Sequence, residues 1–391
     1  MRLFQNNTST KKLISIFLPL SIISIIAMYL SWDFLFRNQL FGLKLLDLYD
    51  IKVYFDSSRW VVGQGILYID VFSQYTLLAN LIFGFSRFVA EVTHPFSSDL
   101  ESFSFIWGSI SWLIYLFGVY VTLVKVSRNS IWLWLTPAAV YFAIFRFDIY
   151  TSVTTLLALL AIRDEKYTKG SFWLGITIAL KGYALFLLPS YLIFIFYKQG
   201  FKGVIKATIV CLSPFLLGNL IVFLYAGLKG LLIPYSFHAV RRLNGESTYD
   251  IFYLNWLVAI FPGLPTLLQI SSSLLPVLKK PKTFESLINA FLIALVGFMT
   301  FSVFYSPQFF LWIVPIACFS ESILIKRLTV AFCWATFFYY PIGWGLKNKG
   351  LAGKIFLRAT MTLTAATRLV LLYSLVHPSK KNDQPYLPQD Y

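Results

Sequence analysis

Asp47, Asp50, Asp56 and Asp70 fall within one stretch, Leu46 to Tyr75, in a chain that has only 17 acidic residues and is otherwise apolar or basic. Tyr49, Tyr54, Trp60, Tyr68 and Tyr75 are interleaved with them. A carboxylate in such a loop can act as general base toward a hydroxyl if burial or a neighbour tunes it toward the working pH. Asp50 is the leading candidate, with Tyr54 one helical turn later and Asp47 three residues earlier on what could be one helical face. For any single Asp, the plain alternative is a solvated loop acid.

A second group lies farther on: His238, Arg241, Arg242, Glu246 and Ser247. Arginine supplies a bidentate fork for phosphate and histidine a further donor, so this is a candidate phosphate site. Its alternative is an interfacial cluster resting on lipid headgroups. Arg146 and Asp148 form a third group, in which the two charges could simply neutralise each other. Lys181 interrupts an apolar run and either binds phosphate or snorkels to the surface. Gln308 follows Ser306 and Pro307 at a helix start, where polar side chains also serve as ordinary caps.

These residues must be held by membrane helices. The chain is 58% hydrophobic and 13% charged over 391 residues, and its apolar residues come in long runs. Runs such as Leu13–Trp32, Thr76–Val92, Phe105–Val124, Val204–Tyr225, Phe252–Leu278, Leu287–Tyr305 and Ile355–Val376, with shorter ones at Ile131–Phe145, Tyr150–Ile162 and Phe172–Phe196, imply an all-α polytopic protein of about 11 to 13 transmembrane helices. No second soluble domain is visible, and 1–391 is expected to form one integral membrane domain. The net charge of +16 sits in short clusters between apolar runs, which fits orientation and anionic lipid better than nucleic acid. Cys211, Cys318 and Cys333 lie inside apolar runs at no metal-ligand spacing. There is no phosphate-cradling Gly loop, nucleotide fingerprint, nucleophile elbow or HExxH.

Lys and Arg mark cytoplasmic loops. Arg2, Lys11 and Lys12 place the tail 1–12 inside and the long first loop 33–74 outside. Lys125–Arg128, Arg163–Lys169, Lys198–Lys206, Lys279–Lys282, Lys326–Arg327 and the tail 377–391 are then inside, which puts loop 227–250 and the turns at Arg146–Asp148 and Tyr305–Gln308 outside. Between 73 and 125 the count does not close. Either 73–92 is re-entrant or half-spanning, or a short run farther on does not cross.

Taken in order, these pieces resemble the GT-C superfamily of membrane glycosyltransferases, and within it glycosyltransferase family 87. The residues that carry the resemblance are Asp50-Ile-Lys-Val-Tyr54, Gly63-Gln-Gly65-Ile-Leu-Tyr68, Tyr75-Thr-Leu-Leu, Arg146-Phe-Asp148, Gly175 to Tyr183 with Pro189, His238-x-x-Arg241 with Glu246-Ser247, and Ser306-Pro307-Gln308 to Trp312. They cover about residues 10 to 330. The first loop is also similar to the mannosyltransferase of glycosylphosphatidylinositol synthesis. Leu48 stands where that enzyme's Asp-x-Asp has its first acid, so no metal-holding pair is expected there.

The resemblance implies inverting transfer of a hexose, mannose first among candidates, from a polyprenyl-phosphate sugar to a lipid-linked or cell-surface glycan acceptor on the non-cytoplasmic face. It gives Asp50 the role of base, His238, Arg241, Arg242 and Lys181 the donor phosphate, and Tyr54, Asp148, Glu246, Ser247 and Gln308 the cavity and acceptor. No cofactor is implied, with a divalent metal left open. The alternatives are an arabinosyl- or glucosyltransferase of the same architecture, or a transporter or flippase of polyprenyl-linked sugars. A transporter is expected to carry internal repeats, and none is visible.

Overall fold

Apolar runs with few charges leave the backbone no hydrogen-bond partner but itself, and helix is the outcome. The computed structural model describes residues 19–31 and 48–378, and the regular structure there is helical apart from one isolated bridge between Leu67 and Val71. The two tails and residues 32–47, Asp47 included, lie outside the described residues. The longer helices are α1 (Pro19–Ser31), α2 (Tyr49–Ser57), α3 (Leu77–Thr93), α4 (Asp99–Lys125), α5 (Pro137–Phe145), α6 (Asp148–Arg163), α7 (Tyr167–Leu180), α8 (Leu188–Ala239), α9 (Leu264–Leu278), α10 (Phe284–Phe301), α11 (Ile323–Phe337) and α12 (Gly350–Val376).

Five helical stretches are long and apolar enough to cross a membrane: Asp99–Lys125, Gly182–Ala239, Phe284–Phe301, Ile323–Leu346 and Gly350–Val376. The pair α5 and α6, bent by 111°, makes a sixth candidate. The protein is therefore all-α and polytopic. Several apolar runs of the sequence do not become uninterrupted helices: 131–145 divides before Pro137, and 172–196 divides at Lys181. Within α8 the chain turns at Gly200 (φ 67°) and Gly227 (φ 64°), a backbone region costly for residues with a Cβ, giving segments 188–199, 201–226 and 228–239. One apolar core runs from Ile51 to Leu375.

Contacts divide the bundle into two ends. At one end Arg163 donates to the Lys125 carbonyl (2.7 Å), Ser130 to the Cys318 carbonyl (2.8 Å) and Lys279 to the Val376 carbonyl (3.1 Å). There too Lys282 lies over Tyr197 at 5.0 Å, and Phe284 packs on Phe319. At the other end Asp50, Arg146, Asp148 and Lys181 come together. Among the described residues, the basic clusters assigned to one side in sequence thus share one end of the molecule.

The helix α3 falls in the stretch where the span count does not close. Its start is tied to the C-terminus of α7 by Thr76 Oγ1 donating to the Ala179 carbonyl at 2.6 Å. Farther along, Phe83 stacks on Tyr54 (4.6 Å), and Arg87 lies over Phe55 (4.1 Å) and pairs with Asp99 at the start of α4. Both halves of α3 therefore stay at the Asp50 end, while α4 runs from Asp99 there to Lys125 at the opposite end. The start of α3 is thus tied to α7 and its later turns to α2 and α4.

Candidate active site

Asp50 sits in the first turn of α2, whose buried face is Ile51, Tyr54 and Ser57. That spacing anchors one side of the helix and leaves the Asp50 side chain about 20% exposed. The Tyr54 hydroxyl accepts from the Phe147 amide at 3.2 Å, and its ring is enclosed by Tyr75, Phe83 and Trp107. Tyr54 therefore fixes α2 onto the α5–α6 bend from beneath and does not line an open cavity.

Arg146 and Asp148 do not neutralise each other. Arg146 is extended (φ −130°, ψ 142°) at the end of α5, and Asp148 opens α6 across the bend, so the two side chains leave in different directions. Arg146 Nε meets Asp50 Oδ2 at 3.2 Å, and its Nη2 donates to the Tyr340 hydroxyl at 3.0 Å. Asp148, almost fully buried, accepts on Oδ1 from Lys181 Nζ at 2.6 Å and from the Trp312 indole at 2.5 Å. The start of a helix also favours its negative charge. Lys181 follows the end of α7 in extended conformation and lies over Trp312 (5.2 Å) and Phe309 (5.7 Å). Its charge is largely committed to Asp148.

The first loop closes over this pair of ion pairs. The Asp70 carboxylate accepts from the Ile66 amide (2.9 Å), the Tyr68 hydroxyl donates to the Tyr75 carbonyl, and Asn80 donates to the Tyr68 hydroxyl (2.9 Å). Asp70 thus shapes a turn, and Asp56 is exposed at the surface; neither joins Asp50.

His238 reaches the same loop from α8, with Nε2 3.1 Å from the Gln74 carbonyl. A carbonyl only accepts, so Nε2 carries the proton and Nδ1 is left for another partner. The Arg241 guanidinium is stacked over Phe304 (4.1 Å) and Phe237 (5.1 Å). It has no carboxylate pair among the described residues, yet lies near Asp50 and Tyr75. Stacking occupies its faces and leaves its N–H edges available. Arg242 is exposed beside it.

Glu246 is partly exposed, and burial of its carboxyl pushes it up to about 7, against the opposing pulls of the Tyr339 hydroxyl and of Arg368, Arg146 and Lys347. Ser247 is fully buried and accepts from the Asp250 amide (3.2 Å) as cap of the turn Thr248–Ile251. It is a structural residue, and its Ser-x-x-Asp spacing is the capping signature that identifies it in sequence. Gln308 is buried and accepts from Ser306 Oγ at 2.6 Å. Among the described residues no three His, Cys, Asp or Glu side chains gather as a metal site.

Two contributors carry no advance signal. Tyr340, which holds Arg146, lies in the apolar Phe337–Trp344 stretch, and Arg368 lies ten residues after Arg358 within the apolar α12. In comparison with known proteins, no family model matches the chain and no curated sequence matches it.

Proposed function

We propose that this protein is a GT-C type membrane glycosyltransferase resembling family 87, transferring a hexose, with mannose as first candidate, from a polyprenyl-phosphate sugar to a lipid-linked or cell-surface glycan acceptor. What carries this function is one juxtaposition: Asp50, with Oδ2 held by Arg146 and Oδ1 in no other described contact, beside Arg241, whose guanidinium makes no hydrogen bond or ion pair among the described residues. The first is a positioned proton acceptor and the second a fork for an anion beside it.

The chemistry is a single displacement. Asp50 Oδ1 takes the proton of the acceptor hydroxyl as that oxygen bonds to the anomeric carbon. The anomeric carbon–phosphate oxygen bond breaks, and its electron pair leaves on the polyprenyl phosphate. Arg241, Arg242 and His238 hold the phosphate, and Lys181 adds positive charge behind Asp148. Attack opposite the leaving group inverts the anomeric centre. The Asp50 end faces the non-cytoplasmic side on this proposal, because the lysine-rich end answers to the cytoplasmic one. The shorter apolar helices, Pro19–Ser31, Leu264–Leu278 and Pro307–Ala317, then count among the passages of a GT-C type bundle.

The test is incubation of the purified protein, in nanodiscs, with synthetic polyprenyl-phosphate mannose, glucose and arabinose and a pool of lipid acceptors, followed by product mass. An acceptor heavier by one sugar residue supports transfer, and the productive donor names the sugar. Donor that crosses the bilayer of sealed vesicles unchanged, with no product in any arm, replaces the enzyme with a transporter.

A further inference from the structure

A groove lies on α8 toward the lysine-rich end of the molecule. Among the described residues it is lined by Lys202, Ile205, Lys206, Ile209 and Val210, and its volume is about 330 Å³. These positions are mostly three and four residues apart, so they share one face of segment 201–226. The groove has a polarity along that face. Tyr197, five residues before Lys202, meets Lys282 at the lysine-rich end. Val222, farther along the same segment, packs with Leu67, Tyr68 and Val71 of the first loop. Segment 201–226 therefore runs inward from the lysine-rich end, with both cations in its first two turns. The aliphatic wall continues to Val210, about 12 Å from Lys202 along the helix axis. Ile205 and Ile209 are exposed, as are both lysines.

Nothing described in the protein offsets these two charges. Lys198 lies over the Phe194 ring (5.6 Å) and Lys282 over Tyr197 (5.0 Å), while Asp164 pairs with Arg163 and Lys166. Lys202 and Lys206 make no hydrogen bond, ion pair or ring contact among the described residues. We propose that the groove holds one anionic glycerophospholipid from the leaflet at the lysine-rich end. Its phosphate sits between Lys202 and Lys206, and an acyl chain follows Ile205, Ile209 and Val210. A soluble anion would meet the lysines and leave the aliphatic wall uncovered. A zwitterionic lipid would cover the wall, but its own ammonium would offset the phosphate facing two lysines. An amphiphile of net negative charge answers both halves. This site stands apart from glycosyl transfer and holds whether or not the protein is a transferase.

The experiment titrates the full chain, in a neutral detergent, with phosphatidylglycerol or phosphatidylcholine of identical acyl chains, read by native mass spectrometry. The wild type is expected to retain phosphatidylglycerol about thirtyfold more tightly, the preference that two lysines at a headgroup supply. Lys202→Gln combined with Lys206→Gln should bring the two lipids level, and Lys198→Gln combined with Lys282→Gln should keep the preference. Equal retention of both lipids by the wild type, or a preference that survives in the groove variant, overturns the site. Displacement of phosphatidylglycerol by glycerol phosphate would reduce the groove to a headgroup site and overturn the lipid as its occupant. Because a variant can fail to fold, the wild type is also photolabelled with phosphatidylglycerol carrying a diazirine in its acyl chain. Labels within residues 205–210 support the assignment, and labels confined elsewhere overturn it.

Discussion

Asp50 and Arg146 illustrate how one contact can orient a base without consuming it. Arg146 Nε meets Oδ2 at 3.2 Å, and on the proposed function Oδ1 is the oxygen that takes the proton. Asp50→Asn keeps the size and removes the proton acceptor, so turnover should fall about a hundred- to ten-thousandfold, with donor affinity retained. Equal turnover in Asp50→Asn would move the base elsewhere. Arg241→Ala removes a charge-assisted contact to the phosphate, which should lower donor affinity about ten- to a hundredfold, read by titration of the donor analogue. An unchanged affinity in Arg241→Ala, His238→Ala and Arg242→Ala alike would make this loop a lipid anchor. Glu246 gives a pH signature. Its folded carboxyl is raised from 4.5 to about 7, so between those values the unfolded chain gives up a proton that the folded protein keeps. Stability should therefore decrease as pH rises from about 4.5 to about 7, by at most about 1.4 kcal/mol per unit, and level off above. Melting curves from pH 5 to 8 should show a shallower decline in Glu246→Gln; coincident slopes would dismiss the shift.

At the scale of elements, the types of residue in the site were legible in the chain but their pairing was not. Asp50, Arg146, Asp148, Lys181, His238 and Arg241 all stand out as polar groups at the ends of apolar runs. Which carboxylate meets which cation depends on the 111° bend between α5 and α6, and a bend angle is a tertiary quantity. Arg146 and Asp148, two residues apart, look like partners and are turned away from each other by it. The α3 helix was equally ambiguous, because an apolar run of that length can span or lie flat, and sequence does not give its contacts with α2, α4 and α7. Tight helix approach gives a test at this scale. A Cβ on Gly175 of α7 would sit 2.4 Å from the Cys211 carbonyl oxygen of α8, whereas one on Gly182 meets nothing within 4 Å. Gly175→Ala should cost about 1–3 kcal/mol and lower the melting temperature, and Gly182→Ala should not. Equal melting temperatures would mean that α7 and α8 can part without loss.

For the molecule as a whole, the separation of a lysine-rich end from the Asp50 end makes sidedness measurable. Cys211, Cys318 and Cys333 are buried, so a single introduced cysteine can be read against a low background. Replacing exposed Asp56, Arg242 or Tyr253 by cysteine should give labelling by an impermeant reagent from the non-cytoplasmic side, and replacing exposed Lys202 should give it only after permeabilisation. Opposite behaviour of any of the first three would split the Asp50 end across the bilayer, which one shared site does not allow.

Asp148 is satisfied by partners 33 and 164 residues later in the chain. During synthesis its carboxylate enters the membrane long before the indole that completes its shell has been made. Until Trp312 has been made, Lys181 is the one of these two partners available to it. The Asp148 shell is therefore complete only once the Lys181 and Trp312 segments have both been made and packed against the α5–α6 bend.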